Sequence, residues 1–405
     1  MQRIYMDANA TTPLLPAVFE AMRPFWIEHF GNASSIHQQG QYARAAVDQA
    51  RESIATMLHC RSSEIVFTSG GTESDNFALF GLLSAPRPAG AEVPHLITSS
   101  IEHHAVLHAA QHLETQGVEV TYLAPTEQGL ITPQALQAAI RPNTKLVSIM
   151  LANNETGVIQ PIAELAAIAK AAGALFHTDA VQGAGKILMD LSPKGALKDV
   201  DLLSISGHKM YAPKGTGILF VRRSVRLAPI FHGGTHERQR RAGTENVAGI
   251  VALGKAAELA QQWLTQDHPA DGPTHLTQLR DRLEQGILAQ VEECGVNGAG
   301  TSRTSNTSNL YFDHVEAEAL VIALDLKGLS VSGGSACQSG ATEPSPVLTS
   351  MGLSPARARA SIRISLSRLT TGVEVDAALA LIPPAVARLR DLSPTYKKSD
   401  TLVVA

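Results

Sequence analysis

The residue whose type and setting first indicate covalent chemistry is Lys209, which closes the segment LLSISGHK at residues 202–209. An apolar, strand-like run ends there in small polar residues, and His208 and Lys209 follow at once. Burial lowers the pKa of a lysine, and the neutral amine can then form a Schiff base with a carbonyl carbon. A solvated lysine after a strand fits the same segment, so the other polar strand ends must decide between the two.

Two further polar segments follow predicted strands. Together with Lys209 they provide the chemical groups that one cofactor requires. TSGGTESDN, residues 68–76, opens a helix whose glycines and N-terminus suit a phosphate, unless Ser69 or Thr72 merely caps that helix. Asp179, in ALFHTDAVQ, stands at the carboxyl end of a buried strand, where it either keeps a pyridine nitrogen protonated or caps the next helix. A phosphate cradle, an aspartate and a lysine at the strand ends of one sheet together predict pyridoxal 5′-phosphate.

Histidines and an asparagine stand near two other strand ends. His103 is placed either to stack on a cofactor ring or to serve as a structural histidine, and Asn154 in ANNETG donates to a ring oxygen or supports a turn. His104, His108 and His112 recur at the spacing of one helical face, as zinc ligands do, but neither an HExxH motif nor a second cluster accompanies them. We interpret them as a solvated or partner-facing stripe and predict no metal site.

The three cysteines do not suggest a disulfide framework, which favours a reducing, cytoplasmic compartment. Cys60 and Cys294 adjoin amphipathic helices, where free cysteines behave as small inert hydrophobic residues. Cys337 lies in SGGSACQSGATEPS, residues 332–345, among small residues with no hydrophobic anchor. We predict an exposed thiol on a mobile loop that carries a nucleophile into a cleft and out again.

The charged residues argue against nucleic-acid binding, and two arginines are candidates for binding a substrate carboxylate. The net charge is −4, the cluster Arg238, Arg240 and Arg241 is short, and no long basic run predicts nucleic-acid binding. Either Arg363 or Arg368, in the alternating segment ASIRISLSR, is placed to clamp a substrate carboxylate; a surface ion pair is the alternative for each. The N-terminus resembles no signal peptide, and no apolar run is long enough to span a membrane.

Alternating strand and helix signals predict an α/β fold with a mostly parallel sheet that helices cover on both faces. Several strands are nearly continuous apolar runs, as in strands buried on both sides. The predicted strands are 64–68, 96–99, 118–123, 145–151, 174–178, 202–206 and 217–222, and helices at 42–58, 102–115 and 162–172 lie between them.

From about Val251 the pattern changes to long helices followed by short strands, which is typical of a smaller α+β domain. Helices are predicted at 251–264, 276–291 and 373–390, and strands at 309–312 and 361–366. We therefore predict a large α/β domain at 14–255, a small α+β domain formed by 1–13 and 256–396, and a separate tail at 397–405.

The order of the motifs resembles that of cysteine desulfurases of the NifS/IscS class, in the class V aminotransferase family. The motifs are MDANATTP, GNASSIH, TSGGTESDN, EHHAV, ANNETG, HTDAVQ, SGHK, RRAGTEN, SGGSACQSG and SIRISLSR, and the resemblance runs from Tyr5 to about Tyr396. NETG, RRAGTEN and the closing RLRDLSPTY make the chain more similar to NifS than to IscS. The resemblance implies a homodimer of pyridoxal-phosphate fold type I, with a seven-stranded-type sheet and a smaller α+β domain.

The resemblance also implies a role for each matching residue. Catalysis would use Lys209 as the Schiff-base lysine, Cys337 as the nucleophile that becomes a persulfide, and His103 for stacking on the ring and proton transfer. The cofactor would further be held by Asp179 at the ring nitrogen, by Asn154 and Gln182 at the ring oxygen, and by Gly71, Thr72, Ser206, His208 and, across the dimer interface, Thr244 at the phosphate. The substrate carboxylate would meet Arg363, with Asn9 and Asn154 nearby.

The implied reaction converts L-cysteine to L-alanine and passes its sulfur, through Cys337, to a scaffold or other acceptor for iron–sulfur clusters, those of nitrogenase in particular. A selenocysteine lyase, a related class V aminotransferase and a catalytically silent assembly scaffold are the alternatives. The chain departs from the usual SSGSACTSG pattern, because Gly333 and Gln338 replace a serine and a threonine. This departure affects the expected rate and acceptor preference of sulfur transfer, and leaves the expected reaction type unchanged.

Overall fold

The computed structural model describes residues 3–84, 90, 92–333, 343–394 and 396, so Cys337, Gln338 and the tail at 397–405 lie outside the described residues. The strands are β1 (Ile4–Tyr5), β2 (Ile65–Thr68), β3 (His95–Ser99), β4 (Glu119–Leu123), β5 (Thr144–Ser148), β6 (Leu175–Asp179), β7 (Leu202–Ser206), β8 (Gly217–Val221), β9 (Cys294–Val296), β10 (Thr307–Phe312), β11 (Leu329–Ser330), β12 (Ser332–Gly333) and β13 (Ser361–Ser365). The helices are α1 (Pro16–Met22), α2 (Pro24–Ile27), α3 (Gln38–Met57), α4 (Gly71–Leu83), α5 (His104–Thr115), α6 (Pro133–Ala139), α7 (Ile162–Ala171), α8 (His236–Gln239), α9 (Val247–Gln266), α10 (Pro273–Leu288), α11 (Ala317–Asp325), α12 (Pro346–Ser350), α13 (Pro355–Arg359) and α14 (Gly372–Leu392).

Strands β2 to β8 form one seven-stranded sheet in the order β2-β8-β7-β6-β5-β3-β4. All neighbouring pairs are parallel except the two that β8 makes, with β7 and β2. The predicted α/β class and mostly parallel sheet are therefore confirmed. Because β2, β3, β5, β6 and β7 all run in one direction, the polar residues that follow them meet at one edge of the sheet.

A single glycine brings two of these strand ends together. Thr68 at the end of β2 and Ser206 at the end of β7 both pair with Gly217, the first residue of the intervening strand β8. A Cβ atom on Gly217 would lie 2.6 Å from the Cα atom of Gly70, so the close approach excludes any side chain at this position. The start of α4 and the turn after β7 consequently lie side by side.

Helices cover both faces of this sheet, as the apolar strand runs predict. Alternate strand residues such as Phe67 and Phe176 pack with α3 and α9 on one face, where they form the largest hydrophobic core. Their neighbours, including Val66 and Leu146, pack with α4 and α5 on the other face. The sheet is thus rigidly held between two apolar layers, and its polar edge is positioned by strands that are buried throughout.

A second core surrounds an antiparallel sheet of order β12-β13-β10-β9, against which α10, α11 and α14 pack. Met6 from the N-terminal segment belongs to this core, and Asp7 forms an isolated bridge with Ser365 of β13. Helix α9 runs through the predicted boundary at 255–256, since it gives Ala260 to the first core and Trp263 to the second. The predicted division into two domains and a tail stays a prediction.

Several element boundaries differ from the predicted ones for local reasons. Helix α3 begins at Gln38 rather than 42, because the ring of His37, a residue not usually expected as a cap, accepts a hydrogen bond from the Gly40 N–H. Strand β5 ends at Ser148, and of the three apolar residues that follow, Met150 lines the site while Ile149 and Leu151 pack in the largest core. Among the described residues, no helix combines the length and apolar character of a membrane span.

The described part of the cysteine loop includes Gly333, where the resemblance expects serine. Gly333 pairs with Ile362 of β13 at the end of β12. A Cβ atom at Gly333 would meet no heavy atom of the described residues within 4 Å. A serine would therefore fit here, and the proposed effect of this glycine on sulfur transfer stays a prediction.

Candidate active site

A cavity of about 290 Å³ opens where the polar edge of the seven-stranded sheet faces the N-terminal segment and β13. It collects nearly all of the residues that the sequence singles out, although they are spread over most of the chain. The predicted residues that line it are Asn9, Gly71, Thr72, His103, Asn154, Asp179, Gln182, Ser206, His208, Lys209 and Arg363.

Lys209 lies in the cavity at the end of the short 3₁₀ turn Gly207–Lys209, which follows β7 directly. Its Nζ atom donates hydrogen bonds to the main-chain oxygens of Asn9 at 2.5 Å and Ala10 at 2.7 Å. These oxygens belong to the N-terminal segment, so two distant parts of the chain fix the lysine. Lys209 is half-buried and makes two hydrogen bonds to the main chain, which contradicts the alternative of a solvated surface lysine.

Asp179 ends β6 inside the cavity, and its side chain is almost completely buried. Burial raises its pKa to about 6, while the Val181 N–H, which donates to Oδ1 at 2.9 Å, and the charge of Lys209 oppose that shift. A carboxylate held here suits the nitrogen of a pyridine ring. Asp179 does make the backbone contact of the capping alternative, but it also faces the cavity.

His103 precedes α5 and caps it, because its Nδ1 atom accepts a hydrogen bond from the Ala105 N–H at 3.1 Å. Burial, reinforced by the charge of Lys209, lowers the pKa of His103 to about 4. The ring is therefore neutral near pH 7 and carries its proton on Nε2. In this form it presents a flat, uncharged face to the cavity and one N–H donor.

The start of α4 forms the end of the cavity that suits a phosphate. Gly70 occupies the cap position with a φ of +154°, and the described residues provide no side-chain cap for this helix. The alternative in which Ser69 or Thr72 caps α4 is therefore wrong. A Cβ atom at Gly71 would lie 2.8 Å from a methyl of Val181, so this close packing favours glycine at the helix start, whose N–H groups suit an anion.

Ser206 and His208 complete the same end of the cavity from the turn after β7. The Nδ1 atom of His208 lies 3.1 Å from the Thr11 hydroxyl oxygen, and burial lowers the pKa of this histidine to about 4. Uncapped helix N–H groups, hydroxyls and a neutral imidazole are donors for a phosphate, and Asp179 and Lys209 provide the partners of a pyridine nitrogen and an aldehyde. The residues present thus fit pyridoxal phosphate.

Arg363 lies on β13 at the opposite wall of the cavity. Its Nη2 atom donates to Asp7 Oδ1 at 2.8 Å and its Nη1 atom to the main-chain oxygen of Asn154 at 3.1 Å. Its buried Nε atom makes no hydrogen bond within the described chain. A guanidinium group with an unsatisfied N–H in a cavity is suited to a carboxylate.

Arg368, the other candidate for the carboxylate, lies elsewhere. Its guanidinium carbon lies 5.8 Å from the ring centre of Tyr211 and 5.7 Å from that of Trp263. This position corresponds to cation–π packing, and Arg368 does not line the cavity. Arg368 lies three residues beyond the end of β13, at Ser365, so strand alternation gives no information on its position.

Thr244 does not line this cavity in the described chain. It lies in a separate cavity of about 180 Å³, together with Ser69, Glu237 and Arg241. Its predicted contribution to the phosphate of a second subunit is not tested by a single chain and stays a prediction. Cys337 lies outside the described residues, so its place relative to the cavity also stays a prediction.

The two described cysteines fit the inert role predicted for them. Burial raises the pKa of Cys60 to about 12 and also raises that of Cys294, so neither thiol is ionised near neutral pH. The Cys294 thiol donates to the main-chain oxygen of Val291 at 2.9 Å.

The histidines of the α5 stripe line a second pocket beside the cavity, and His103 and Thr72 belong to both. The rings of His104 and His108 are stacked with centroids 4.8 Å apart. Across the described residues, no three histidine, cysteine or acidic side chains are grouped as metal ligands would be. The solvated or partner-facing role of the stripe stays a prediction.

Sequence reasoning missed two buried acidic residues and a half-buried lysine around the cavity. Asp75 of α4 lines it beside Asp179, and burial, reinforced by the charge of Asp179, raises the pKa of this carboxyl group well above its ordinary range. Glu102 lies behind it and Lys186 lies at the base of the network around Asn9. Helical periodicity could have flagged Asp75, because it falls among the apolar residues on the buried side of α4.

The burial of the Glu102 carboxyl group can be tested through the pH dependence of the protein's stability. Its Oε1 atom accepts hydrogen bonds from Ser99 Oγ at 2.6 Å and the Met150 N–H at 3.0 Å, and burial raises its pKa from 4.5 to about 8. The folded protein binds the extra proton between these two values, so Glu102 lowers stability as the pH rises from about 5 to 8. We expect Glu102→Gln to melt at an increasingly higher temperature than the parent protein over that range.

The measurement is a series of thermal melts at pH 5.5, 6.5 and 8.0. Glu127→Gln is the matched control, because this glutamate is exposed, and its difference from the parent should not depend on pH. A melting difference for Glu102→Gln that stays constant or shrinks as the pH rises would contradict the assignment of a buried, protonated carboxyl.

Comparison with known proteins agrees with the fold and the cavity. A model of the aminotransferase class-V family matches residues 4–378. The chain is 47% identical over 395 residues to the cysteine desulfurase IscS of Methanosarcina thermophila, which covers 98% of this chain and 95% of that protein. The chain belongs to the aminotransferase class-V family, and its cofactor is pyridoxal 5′-phosphate.

Two solved structures extend this result to three dimensions. A NifS-like protein has a TM-score of 0.87 and 34% identity, and the match covers 96% of this chain and 100% of that one. SspA in complex with cysteine has a TM-score of 0.78 and 38% identity over 91% of this chain and 100% of that one. The resemblance to the NifS/IscS class inferred from the motifs is confirmed, and the closer similarity to NifS stays a prediction.

Proposed function

We propose that this protein is a cysteine desulfurase, which removes the sulfur of L-cysteine and leaves L-alanine. The observation that carries the proposal is the single cavity in which Lys209, Asp179 and Arg363 meet, a cofactor-binding end facing a carboxylate-binding end. Relatives of nearly half-identical sequence are described as cysteine desulfurases, and one solved structure of similar fold holds cysteine, which supports the same substrate.

When it is bound, pyridoxal phosphate supplies an electron-withdrawing ring that stabilises negative charge on the substrate carbon. Lys209 would hold the cofactor aldehyde, Asp179 its ring nitrogen, and the start of α4 with Ser206 and His208 its phosphate. Thr72 and Gly71 lie at that same helix start, and His103 would cover the ring with its neutral face. Asn154 and Gln182 would contact the ring oxygen.

Arg363 would orient L-cysteine by its carboxylate; the main-chain oxygen of Asn154 accepts hydrogen bonds from both Arg363 and Asn9, which places both asparagines near this end of the site. The Lys209 amine, once free, lies in the same cavity and takes the α-proton of the substrate. Cys337 would then attack the substrate sulfur as a thiolate. The new S–S bond forms as the carbon–sulfur bond breaks, its electron pair stays with the carbon fragment, and protonation gives L-alanine.

The finer parts of the proposal concern where the sulfur goes. We propose that the Cys337 persulfide passes its sulfur to an iron–sulfur scaffold or another acceptor protein, with nitrogenase clusters as the specific destination, in the cytoplasm. The relatives described as IscS support the cluster role in its general form. A homodimer in which Thr244 reaches the phosphate of the second subunit belongs to the same proposal.

The experiment is to incubate the protein, loaded with pyridoxal phosphate, with L-cysteine and a thiol reductant and to measure sulfide and L-alanine together. Equal amounts of both products are expected. Formation of pyruvate from L-alanine and an oxo acid would instead indicate an aminotransferase. Selenocysteine turnover without sulfide release would indicate a lyase, and absence of any turnover would indicate a scaffold.

Arg363 offers a test of the substrate end of the site. Arg363→Lys should raise the KM for L-cysteine roughly 100-fold while the visible spectrum of the bound cofactor stays unchanged, because a lysine cannot form the paired hydrogen bonds of a guanidinium. Arg368→Lys is the matched control and should leave KM unchanged, since Arg368 packs on aromatic rings outside the cavity. Equal effects of the two variants on KM would refute the assignment.

A further inference from the structure

A second lysine, Lys186, lies at the base of the cavity wall and takes no part in the reaction described above. Its Nζ atom donates to Gln182 Oε1 at 2.7 Å and to Asn9 Oδ1 at 3.2 Å. Burial lowers its pKa to about 7, and the neighbouring charges of Lys209 and Arg363 act in the same direction. Such an arrangement is costly for a cation, so the contacts it makes require an explanation.

The two contacts of Gln182 leave its side-chain amide only one orientation. Its Nε2 atom donates to the main-chain oxygen of Asn9 at 3.0 Å, which can only accept, and its Oε1 atom accepts from Lys186 Nζ at 2.7 Å. Rotating the amide by 180° would place oxygen against oxygen and N–H against N–H. The Asn9 oxygen also accepts from Lys209 Nζ, so the amide nitrogen is on the side of the cofactor lysine.

Asn9 depends on Lys186 much less than Gln182 does. Its amide is also held by Asn306, which donates to Oδ1 at 3.0 Å, and by Thr307 Oγ1, which accepts from Nδ2 at 2.9 Å. Removing Lys186 should therefore leave Asn9 in place and remove one of the two described hydrogen bonds that hold the Gln182 amide, so that the amide rotates more easily.

We infer that Lys186 is a positioning residue that fixes the Gln182 amide with its nitrogen toward the cavity, so that the ring oxygen of the cofactor always meets an N–H donor. An amide nitrogen carries two N–H bonds, and only one of them can be directed at the Asn9 oxygen. The inference rests on the proposed contact between Gln182 and the ring oxygen. It concerns cofactor binding and electronics rather than turnover.

The test compares Lys186→Met with the parent protein by two measurements that need no substrate. The first is the affinity of the cofactor-free protein for pyridoxal phosphate, which should fall about tenfold when the charge-assisted hydrogen bond is lost. The second is the pH midpoint of the visible absorption change of the bound cofactor. This midpoint should move to higher pH by about half a unit or more, because a donor to the ring oxygen and a nearby positive charge both disappear.

A double-mutant cycle with Gln182→Ala shows whether Lys186 acts by positioning the Gln182 amide or only through its own charge. If Lys186 acts through Gln182, Lys186→Met should cause little further change in the Gln182→Ala background, and Lys186→Arg should restore most of the parent behaviour. Lys194→Met, at an exposed lysine, is the matched control. Equal shifts in both backgrounds, or no shift in Lys186→Met, would overturn the inference.

A second variant covers the case in which Lys186→Met does not bind the cofactor, and both readouts are independent of the reaction with L-cysteine. If Lys186→Met does not load the cofactor at all, Lys186→Gln, which retains a single N–H donor group, allows the same comparison. Neither readout involves L-cysteine, so a parent protein that binds the cofactor normally but releases no sulfide would refute the proposed function and leave this inference standing.

Discussion

Lys209→Ala is expected to lower the rate of sulfide release from L-cysteine at least about 1,000-fold, because the substrate loses both its proton acceptor and the covalent anchor of the cofactor. The physical basis is the position of Nζ, held between the main-chain oxygens of Asn9 and Ala10 within the cavity. The rate should be measured with saturating pyridoxal phosphate, so that weaker cofactor binding does not account for the loss.

The covalent anchor can be followed independently of the rate. Borohydride reduction of the parent protein should attach the cofactor permanently to Lys209, whereas the variant should release it on denaturation. Lys194→Ala, at an exposed lysine, should behave as the parent in both measurements. A Lys209→Ala protein that retains a tenth or more of the parent rate would rule out the role of this residue.

Cys337→Ser is expected to abolish sulfide release while the visible spectrum of the bound cofactor stays as in the parent protein. A serine hydroxyl is not ionised near neutral pH and cannot take sulfur from L-cysteine, whereas nothing in cofactor binding requires the thiol. The persulfide itself is measurable by mass spectrometry of the protein after a single turnover. It should be found on the parent protein and be absent from the variant.

The two other cysteines provide matched controls. Cys60→Ser and Cys294→Ser should retain the parent rate, since burial keeps both thiols protonated and neither lines the cavity. Full sulfide release by Cys337→Ser, or a persulfide found on Cys60 or Cys294 in the parent protein, would show that the nucleophile has been wrongly assigned.

Much of the site could be predicted from the sequence because its residues follow strands of a parallel sheet. Lys209 follows β7, Asp179 ends β6 and Gly71 opens the helix after β2, and parallel strands place such residues at one edge. The chemical type of each residue then indicates the cofactor. This reasoning needs only local patterns and a rule of topology, which is why it could be carried out without coordinates.

Contacts between distant segments could not be predicted in this way. Local alternation cannot choose Arg363 over Arg368, because the choice depends on where β13 ends, at Ser365, and on which distant segments each side chain contacts. The roles of Lys186 and Glu102 depend on burial by segments far away in the sequence. A single sequence contains no signal for such burial, because a charged residue is usually found on the surface.

The sequence by itself therefore determined the fold class, the family and the residue types that bind the cofactor, since these follow from periodicity and from motifs that are continuous along the chain. Only the tertiary structure decided that Asp7 and the Asn154 main chain hold the Arg363 guanidinium, that α4 starts without a side-chain cap, and that Lys186 donates to Gln182. The physical reason is that orientation, burial and protonation depend on neighbours that are close in space and remote in the chain.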